Sequence, residues 1–305
     1  MVLGCAGSGH QQFPRRSSSP QPRGSLIHPL LDIDSSVEFK ELRPFKHLIE
    51  EFVREKLDQN KVIHVSIYFR DLNNGPWFGI KEREKFSPAS LFKVPIMMAL
   101  FKQAEADPSV LKRKIIFNGL GESTPQMLKP SQGIEAGKAY TLEELIRFMI
   151  AYSDNRAHDL ILKAVKKEDL DQLFSDLGFS PLSFQEQKDQ MSVKDYASFF
   201  RILFNASYLN RQMSQKALEF LSQAEFRGLA ASVPSGTVVA HKHGERMYVL
   251  EQVLQLHDCG IIYYTHHPYL LCVMTRGKDM DNQLEVIRGV SSRVYQEVDR
   301  QYRGR

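Results

Sequence analysis

The sequence predicts an α+β fold, with a long helical stretch inserted between two groups of strands and a helix at each end. Three observations carry that reading. Residues 62–72 alternate apolar and polar side chains, with Ile63, Val65, Ile67 and Phe69 on one side, which is the period of a half-buried strand. Residues 87–226 then follow mainly the helical period. From Thr237 the pattern returns to strands before a last amphipathic helix at 283–302.

Taken in order, the first helix, 39–57, places Phe39, Leu42, Phe45, Leu48, Ile49, Phe52 and Val53 on one stripe. Asn73-Asn74-Gly75 turns the first strand back into residues 77–80, forming a β-hairpin. Residues 94–101 are apolar and read as a buried helix segment, far short of a membrane span. Pro95 deletes a backbone donor just inside that helix and predicts a kink. Thr141-Leu142-Glu143-Glu144 is a capping box opening the helix whose far end leads to Ser153, and Ser192 caps another through Phe204. The later strands are read at 238–242, 248–256, 260–264 and 270–275.

Composition narrows the function. A chain of 305 residues with 42% hydrophobic content can bury a large core. The net charge of +4 is a mild excess, and aromatic and basic residues do not interleave in a stripe, which argues against nucleic-acid binding. Residues 1–36 are of another kind: Gly, Ser, Pro, Gln and Arg dominate with no apolar period, so they read as a disordered tether. Met1-Val2-Leu3-Gly4-Cys5 resembles the end of a bacterial lipoprotein cleavage site. If the natural start lies upstream, Cys5 is a lipid anchor and the chain is extracytoplasmic, in the periplasm or cell envelope; the other reading is a cysteine near an arbitrary start.

Three short motifs then follow one another: Ser90-Leu91-Phe92-Lys93, Ser153-Asp154-Asn155 and Lys242-His243-Gly244. A serine hydroxyl is a poor nucleophile until a base takes its proton, and Lys93, one helical turn after Ser90, puts an amine beside it. Ser153 and Asn155 offer a hydroxyl and an amide, suited to relaying a proton to a leaving nitrogen and holding a substrate amide. Lys242 sets a cation beside Gly244, where backbone approaches a substrate closely and a carboxylate is paired. Each motif alone has an ordinary reading, as a surface lysine, a helix cap and a solvated strand end. Together and in this order they are the set carried by class A β-lactamases and penicillin-binding proteins.

Over most of residues 38–305 the chain resembles that superfamily. The resemblance implies an antiparallel sheet flanked by the terminal helices, with the site in a cleft between the sheet and a helical domain. The helical part would be 87–235, inserted into an α/β part made of 37–86 and 236–305. It makes Ser90 the nucleophile, Lys93 the acylation base and Ser153 the proton relay. The backbone N–H groups of Ser90 and Glu245 would hold the oxyanion. Asn155 would hold the substrate amide, and Lys242, with His243 and Gly244, would meet its carboxylate. His243 stands where a Thr or Ser hydroxyl is usual. No cofactor is implied, and the substrates would be a β-lactam or a peptidoglycan stem peptide.

The chain departs from the class A pattern between Asp154 and Tyr196, where it has no Glu-x-x-Leu-Asn. Glu186 is the glutamate of segment 179–190, and without the surrounding motif it reads as a solvent-facing charge rather than a deacylating base. Slow hydrolysis of an acyl-enzyme follows, which keeps a D-Ala-D-Ala peptidase or transpeptidase and a non-hydrolytic β-lactam sensor open beside a β-lactamase. A catalytically dead relative is disfavoured, because both lysines, both serines and Asn155 are present. Cys259 and Cys272 fall in successive strands, as a cross-strand disulfide or, the favoured reading, as free buried thiols. His241, His243, His257, His266 and His267 lack the spacing of a metal site.

Overall fold

The computed structural model describes residues 39–119, 126–179 and 190–303. The tether, Cys5 and Glu186 lie outside the described residues. The chain opens with a 3₁₀ turn, Lys40–Leu42, leading into helix α1, Arg43–Asp58. Strands β1, His64–Asp71, and β2, Trp77–Ile80, form the hairpin at the Asn-Asn-Gly turn. Near the other end come β7, Val239–Tyr248, β8, Val253–Ile262, and β9, Tyr269–Gly277, closed by helix α8, Met280–Tyr302. These strands make one sheet in the order β2-β1-β9-β8-β7, antiparallel throughout. The described residues therefore form the α+β fold with an antiparallel sheet and packed helices.

Strand alternation assigns the sheet two cores. Val65, Ile67, Phe69, Leu271 and Val273 meet α1 and α8 on one face, where Phe45, Ile49, Phe52, Val286, Val290 and Val294 cover them. Tyr68, Ala240, Cys259, Ile261, Leu270, Cys272 and Met274 point the other way, into the larger helical core. Both faces being covered, β8 and β9 are buried almost along their whole length.

The helices between the two groups of strands are α2, Lys93–Ala106; α3, Leu142–Ala151; α4, Asn155–Ala164; α5, Lys167–Asp176; α6, Val193–Asn205; and α7, Arg211–Leu221. Thr141 and Glu144 cap α3 reciprocally, and Ser192 and Asp195 do the same for α6. Two short ribbons interrupt this helical stretch: β3, Lys85–Phe86, pairs with β6, Met191–Ser192, and β4, Lys114–Ile116, pairs with β5, Ala139–Thr141.

Three readings of the sequence are corrected. Residues 257–259 do not break a strand, because β8 runs straight through them. His257 and Asp258 are fully buried yet partnered: Asp258 accepts from Leu229 N–H at 2.8 Å and His257 Nε2 lies 3.2 Å from Ser87 O. Pro95 does not break its helix: it is the third residue of α2, so the bond its N–H would make reaches back across the junction to Leu91 in the preceding 3₁₀ turn and no bond between two residues of α2 is lost. Cys259 and Cys272 are not free thiols; they stand directly opposite across β8 and β9, fully buried, and are joined as a disulfide.

Gly260 marks the tightest crossing of the sheet. A Cβ there would sit 2.3 Å from His241 Cβ and 2.5 Å from Ala240 O. Gly260→Ala should therefore cost about 1–3 kcal/mol, the usual scale of overpacking, read as a lower urea midpoint with an unchanged slope.

Candidate active site

Ser90 lies on a 3₁₀ turn, Ala89–Phe92, that runs directly into α2. The turn begins under strain, because Ala89 has φ +45°, a left-handed backbone that L side chains avoid. Lys93 is the first residue of α2 and is buried. Its ammonium spends all three donors inside the protein, on Ser153 O at 2.6 Å, Asn155 Oδ1 at 2.7 Å and Ser153 Oγ at 3.2 Å.

Ser153 occupies the tight link between α3 and α4 and is also left-handed, with φ +56°. Asp154 holds that link in place. It caps α4 by accepting from Arg156 N–H at 2.8 Å, and its other oxygen accepts from Ile134 N–H at 2.8 Å. Gln126 donates to Ser153 O at 2.9 Å from the far side. Asn155 follows as the first residue of α4, with its amide oxygen on Lys93.

Lys242 approaches from the sheet. Alternation along β7 puts it on the same face as Ala240, toward the helices, and its ammonium donates to Ser153 Oγ at 2.9 Å and His243 O at 3.0 Å. One serine hydroxyl thus takes two lysine donors. Both of its lone pairs are used, which leaves its own proton free to be given.

Gly244 lets β7 close on the turn bearing Ser90, for a Cβ there would lie 3.1 Å from Leu91 N and from Pro88 O. Beyond it, Glu245 pairs in register with Leu256. Leu256 directs its C=O to Thr275 Oγ1 on β9, so the pair is of the type that exchanges no backbone bonds, and Glu245 turns its N–H to the open edge of β7. His243 is placed differently. Its ring lies on the opposite face from Lys242, buried and stacked on Phe226 at 4.3 Å. The structure thus brings Lys93, Ser153, Asn155 and Lys242 into direct contact, packs Gly244 on the turn that carries Ser90, and leaves the His243 ring outside that cluster.

Sequence reasoning missed the side chains that frame the cluster. The Glu245 carboxylate accepts from Met127 N–H at 2.9 Å and Leu128 N–H at 3.0 Å, fastening the strand to the loop that carries Gln126. Asp258 pairs with His241 at 2.8 Å beneath Lys242. His158 and Asp159, a turn beyond Asn155 on α4, contact each other at 3.1 Å. Only the Ser-Asp-Asn triplet hinted at any of this, since a capping Asp is legible locally.

The electrostatics follow from two lysines buried together. Burial, then the nearby Lys242 charge, holds the Lys93 amine well below the ordinary lysine range, against the pull of Asp154, Asp159 and Glu245. Burial lowers Lys242 to about 7, opposed by Asp258 and Glu245. Burial, then Lys242, pushes His243 well below the usual imidazole range, so its ring is neutral. Burial raises the Glu245 carboxyl, with its backbone hydrogen bonds pulling the other way. Among the described residues no three His, Cys, Asp or Glu side chains converge as a metal site.

A serine on a strained turn, a desolvated lysine one turn later and a second serine bridging two lysines thus stand together at one site. The sequence model of the β-lactamase enzyme family matches residues 47–298, and the chain belongs to that family. It is 24% identical over 183 residues to β-lactamase VEB-1 of Pseudomonas aeruginosa, a match covering 52% of this chain and 59% of that protein. It therefore spans about three fifths of that relative's length. It is also 24% identical over 234 residues to the extended-spectrum β-lactamase PER-1 of Pseudomonas aeruginosa, covering 70% of this chain and 75% of the relative. Among solved structures it is similar to a mutant of PBP-A in an acyl-enzyme complex with penicillin G. That likeness has a TM-score of 0.67 at 22% identity over 84% of this chain and 97% of the other, and it speaks for the fold.

The Lys242 shift predicts a pH dependence of stability. Its pKa falls from 10.5 in the open chain to about 7 in the fold, so between those values the unfolded chain holds the extra proton and stability rises with pH. The cost is fully present below about 7. Lys242→Met, which keeps the bulk without the charge, should be more stable than the parent at about pH 6.5, with the difference shrinking by about pH 9.5. Urea unfolding of both proteins at the two pH values measures it.

Proposed function

We propose that this enzyme forms an acyl-enzyme at Ser90 with β-lactams or related amides and releases it slowly. The observation that carries the reading is Ser153 Oγ held by Lys93 and Lys242 together, within one fold of the turn bearing Ser90. Lys93, neutral for part of the time because it is desolvated, takes the Ser90 proton as Oγ bonds to the carbonyl carbon. The backbone N–H groups of Ser90 and Glu245 hold the oxygen as it becomes anionic. Ser153 gives its proton to the departing nitrogen as the C–N bond breaks and is reprotonated from the lysine pair. Asn155 holds the substrate's side-chain amide, and Lys242 meets its carboxylate, with His243 and Gly244 shaping that end of the cleft.

Slow release is supported by what the chain lacks. Hydrolysis of the ester needs a water held and deprotonated near the acyl carbonyl, and the sequence between Asp154 and Tyr196 has no Glu-x-x-Leu-Asn to do it. The same gap favours a second reading, a D-Ala-D-Ala peptidase or transpeptidase of the penicillin-binding kind. The likeness to PBP-A in its penicillin G complex accords with that reading.

Intact-protein mass spectrometry after addition of a penicillin should show one adduct that maps to the peptide holding Ser90 and is absent in Ser90→Ala. Lys93→Ala should slow acylation by about 10²–10⁴, the usual worth of a general base, whereas Lys242→Ala should mainly weaken binding of carboxylate-bearing substrates. No adduct with several β-lactam types and acyl-D-Ala-D-Ala mimics would sink the reading. With a chromogenic cephalosporin, a burst of about one equivalent and then a slow steady state is expected. A linear course of many turnovers per second would instead mark an efficient β-lactamase.

A further inference from the structure

The turn that carries Ser90 has a missing hydrogen bond, and a distant tyrosine occupies its place. In an α-helix the N–H of residue 95 closes on the carbonyl of residue 91, but Pro95 has no N–H to give. Leu91 belongs to the nucleophile turn and is fully buried, beyond the reach of compensating solvent. The Lys93 N–H is shared between Ser90 O and Leu91 O, and its share to Leu91 spans only two residues, too short for a well-aligned bond. A donor arrives instead from α6. Tyr196 Oη donates to Leu91 O at 3.0 Å across 105 residues of sequence.

Tyr196 is well fixed for this task. It is fully buried in the first turn of α6, with its ring against Phe199 and Phe200. The start of α6 is held by the Ser192–Asp195 capping box and by the Lys85–Asp195 ion pair. The β3–β6 ribbon joins Phe86 to Met191, so the segment entering the nucleophile turn and the segment entering α6 are stitched together. Burial pushes the phenol well above its ordinary range, so it keeps the proton it donates.

We propose that Tyr196 is a positioning residue for the nucleophile: its hydroxyl supplies to Leu91 O the hydrogen bond that Pro95 removes, and thereby sets the turn presenting Ser90 to Lys93 and to the edge of β7. The geometry is close enough for small movements to matter, because Leu91 N lies against Gly244 beside the Glu245 N–H. The proposal rests on the reading of Ser90 as the nucleophile. Pro95 and Tyr196 form one device, since either the backbone donor or the phenol satisfies the same carbonyl.

That equivalence supplies the test. Tyr196→Phe removes only the hydroxyl, and Pro95→Ala restores the N–H aimed at Leu91 O. Tyr196→Phe should slow acylation by a chromogenic cephalosporin about tenfold, the rate equivalent of one lost hydrogen bond, with the pH profile unmoved. The double variant should return to within about threefold of the parent, and Pro95→Ala alone should change the rate less than that, because Leu91 O keeps a donor in both. Amide hydrogen exchange over residues 88–94 should rise in Tyr196→Phe and fall again in the double variant. Parent-like acylation in Tyr196→Phe, or a double variant no better than the single in rate or exchange, would overturn the proposal. A parent that does not acylate defeats the reading of the site instead, and the exchange pattern then decides on Tyr196 by itself. Should Tyr196→Phe fail to fold, recovery of the fold in the double variant supports the device and an equally unfolded double variant refutes it.

Discussion

The rest of the site depends on two buried lysine side chains hydrogen-bonded to one serine hydroxyl. Lys93 and Lys242 are both buried, and the Lys242 charge adds to burial in holding the Lys93 amine below its ordinary range. Such a pair collapses unless negative charge is brought near without neutralising it by direct contact. Asp154, Glu245 and Asp258 do this from three sides. None makes an ion pair with either lysine; each accepts instead from backbone N–H groups, at Ile134, at Met127 and Leu128, and at Leu229. Backbone donors hold each carboxylate in place, and at Glu245 they oppose the upward pull of burial on its pKa. These four bonds fasten three chain segments to the carboxylates around the lysine pair, so the charge arrangement and the local shape are fixed by the same atoms.

Local chemistry was legible in the sequence, and long-range pairing was not. The capping boxes at Thr141 and Ser192, the Asn-Asn-Gly hairpin and the terminal helices are each decided within a few residues, so pattern alone located them. The three motifs at Ser90, Ser153 and Lys242 are likewise local. What failed was any feature set by register. His257-Asp258 looks like a strand break because the partners of those polar groups, Ser87, Leu229 and His241, lie far off in sequence. The opposition of Cys259 and Cys272 requires the β8–β9 register, and the tip of the β7–β8 hairpin hides behind Val249 and Leu250, apolar residues that are nonetheless exposed. The carboxylate of Glu245 escaped notice because its backbone was the only part a motif could place. Pro95 misled for a related reason: its cost depends on whether its neighbour Leu91 finds another donor, and that donor comes from another helix.

Both motif serines come with left-handed backbone, at Ala89 and at Ser153 itself. An alanine held there costs roughly 1–2 kcal/mol, and such strain persists only where surrounding contacts outweigh it. Those contacts are visible in each case. Ser153 O is gripped by Lys93 and Gln126 while Asp154 anchors the next helix; the turn after Ala89 is gripped by Leu91 N–H on Pro88 O and Tyr196 on Leu91 O. The strain is thus borne by the same bonds that aim the hydroxyls.

The edge position of β7 completes the argument. An exposed edge is a liability, since its unpaired groups invite another strand, and most proteins cover it. Here the turn bearing Ser90 covers the edge at Gly244, which can accept the contact only because it has no Cβ, while the next residue keeps its N–H open. The open edge thus has a backbone donor on one side and the Ser90 turn on the other. Terminating the sheet at β7 and resting one strained turn against it therefore sets an open backbone edge beside Ser90, with the buried lysine pair behind it.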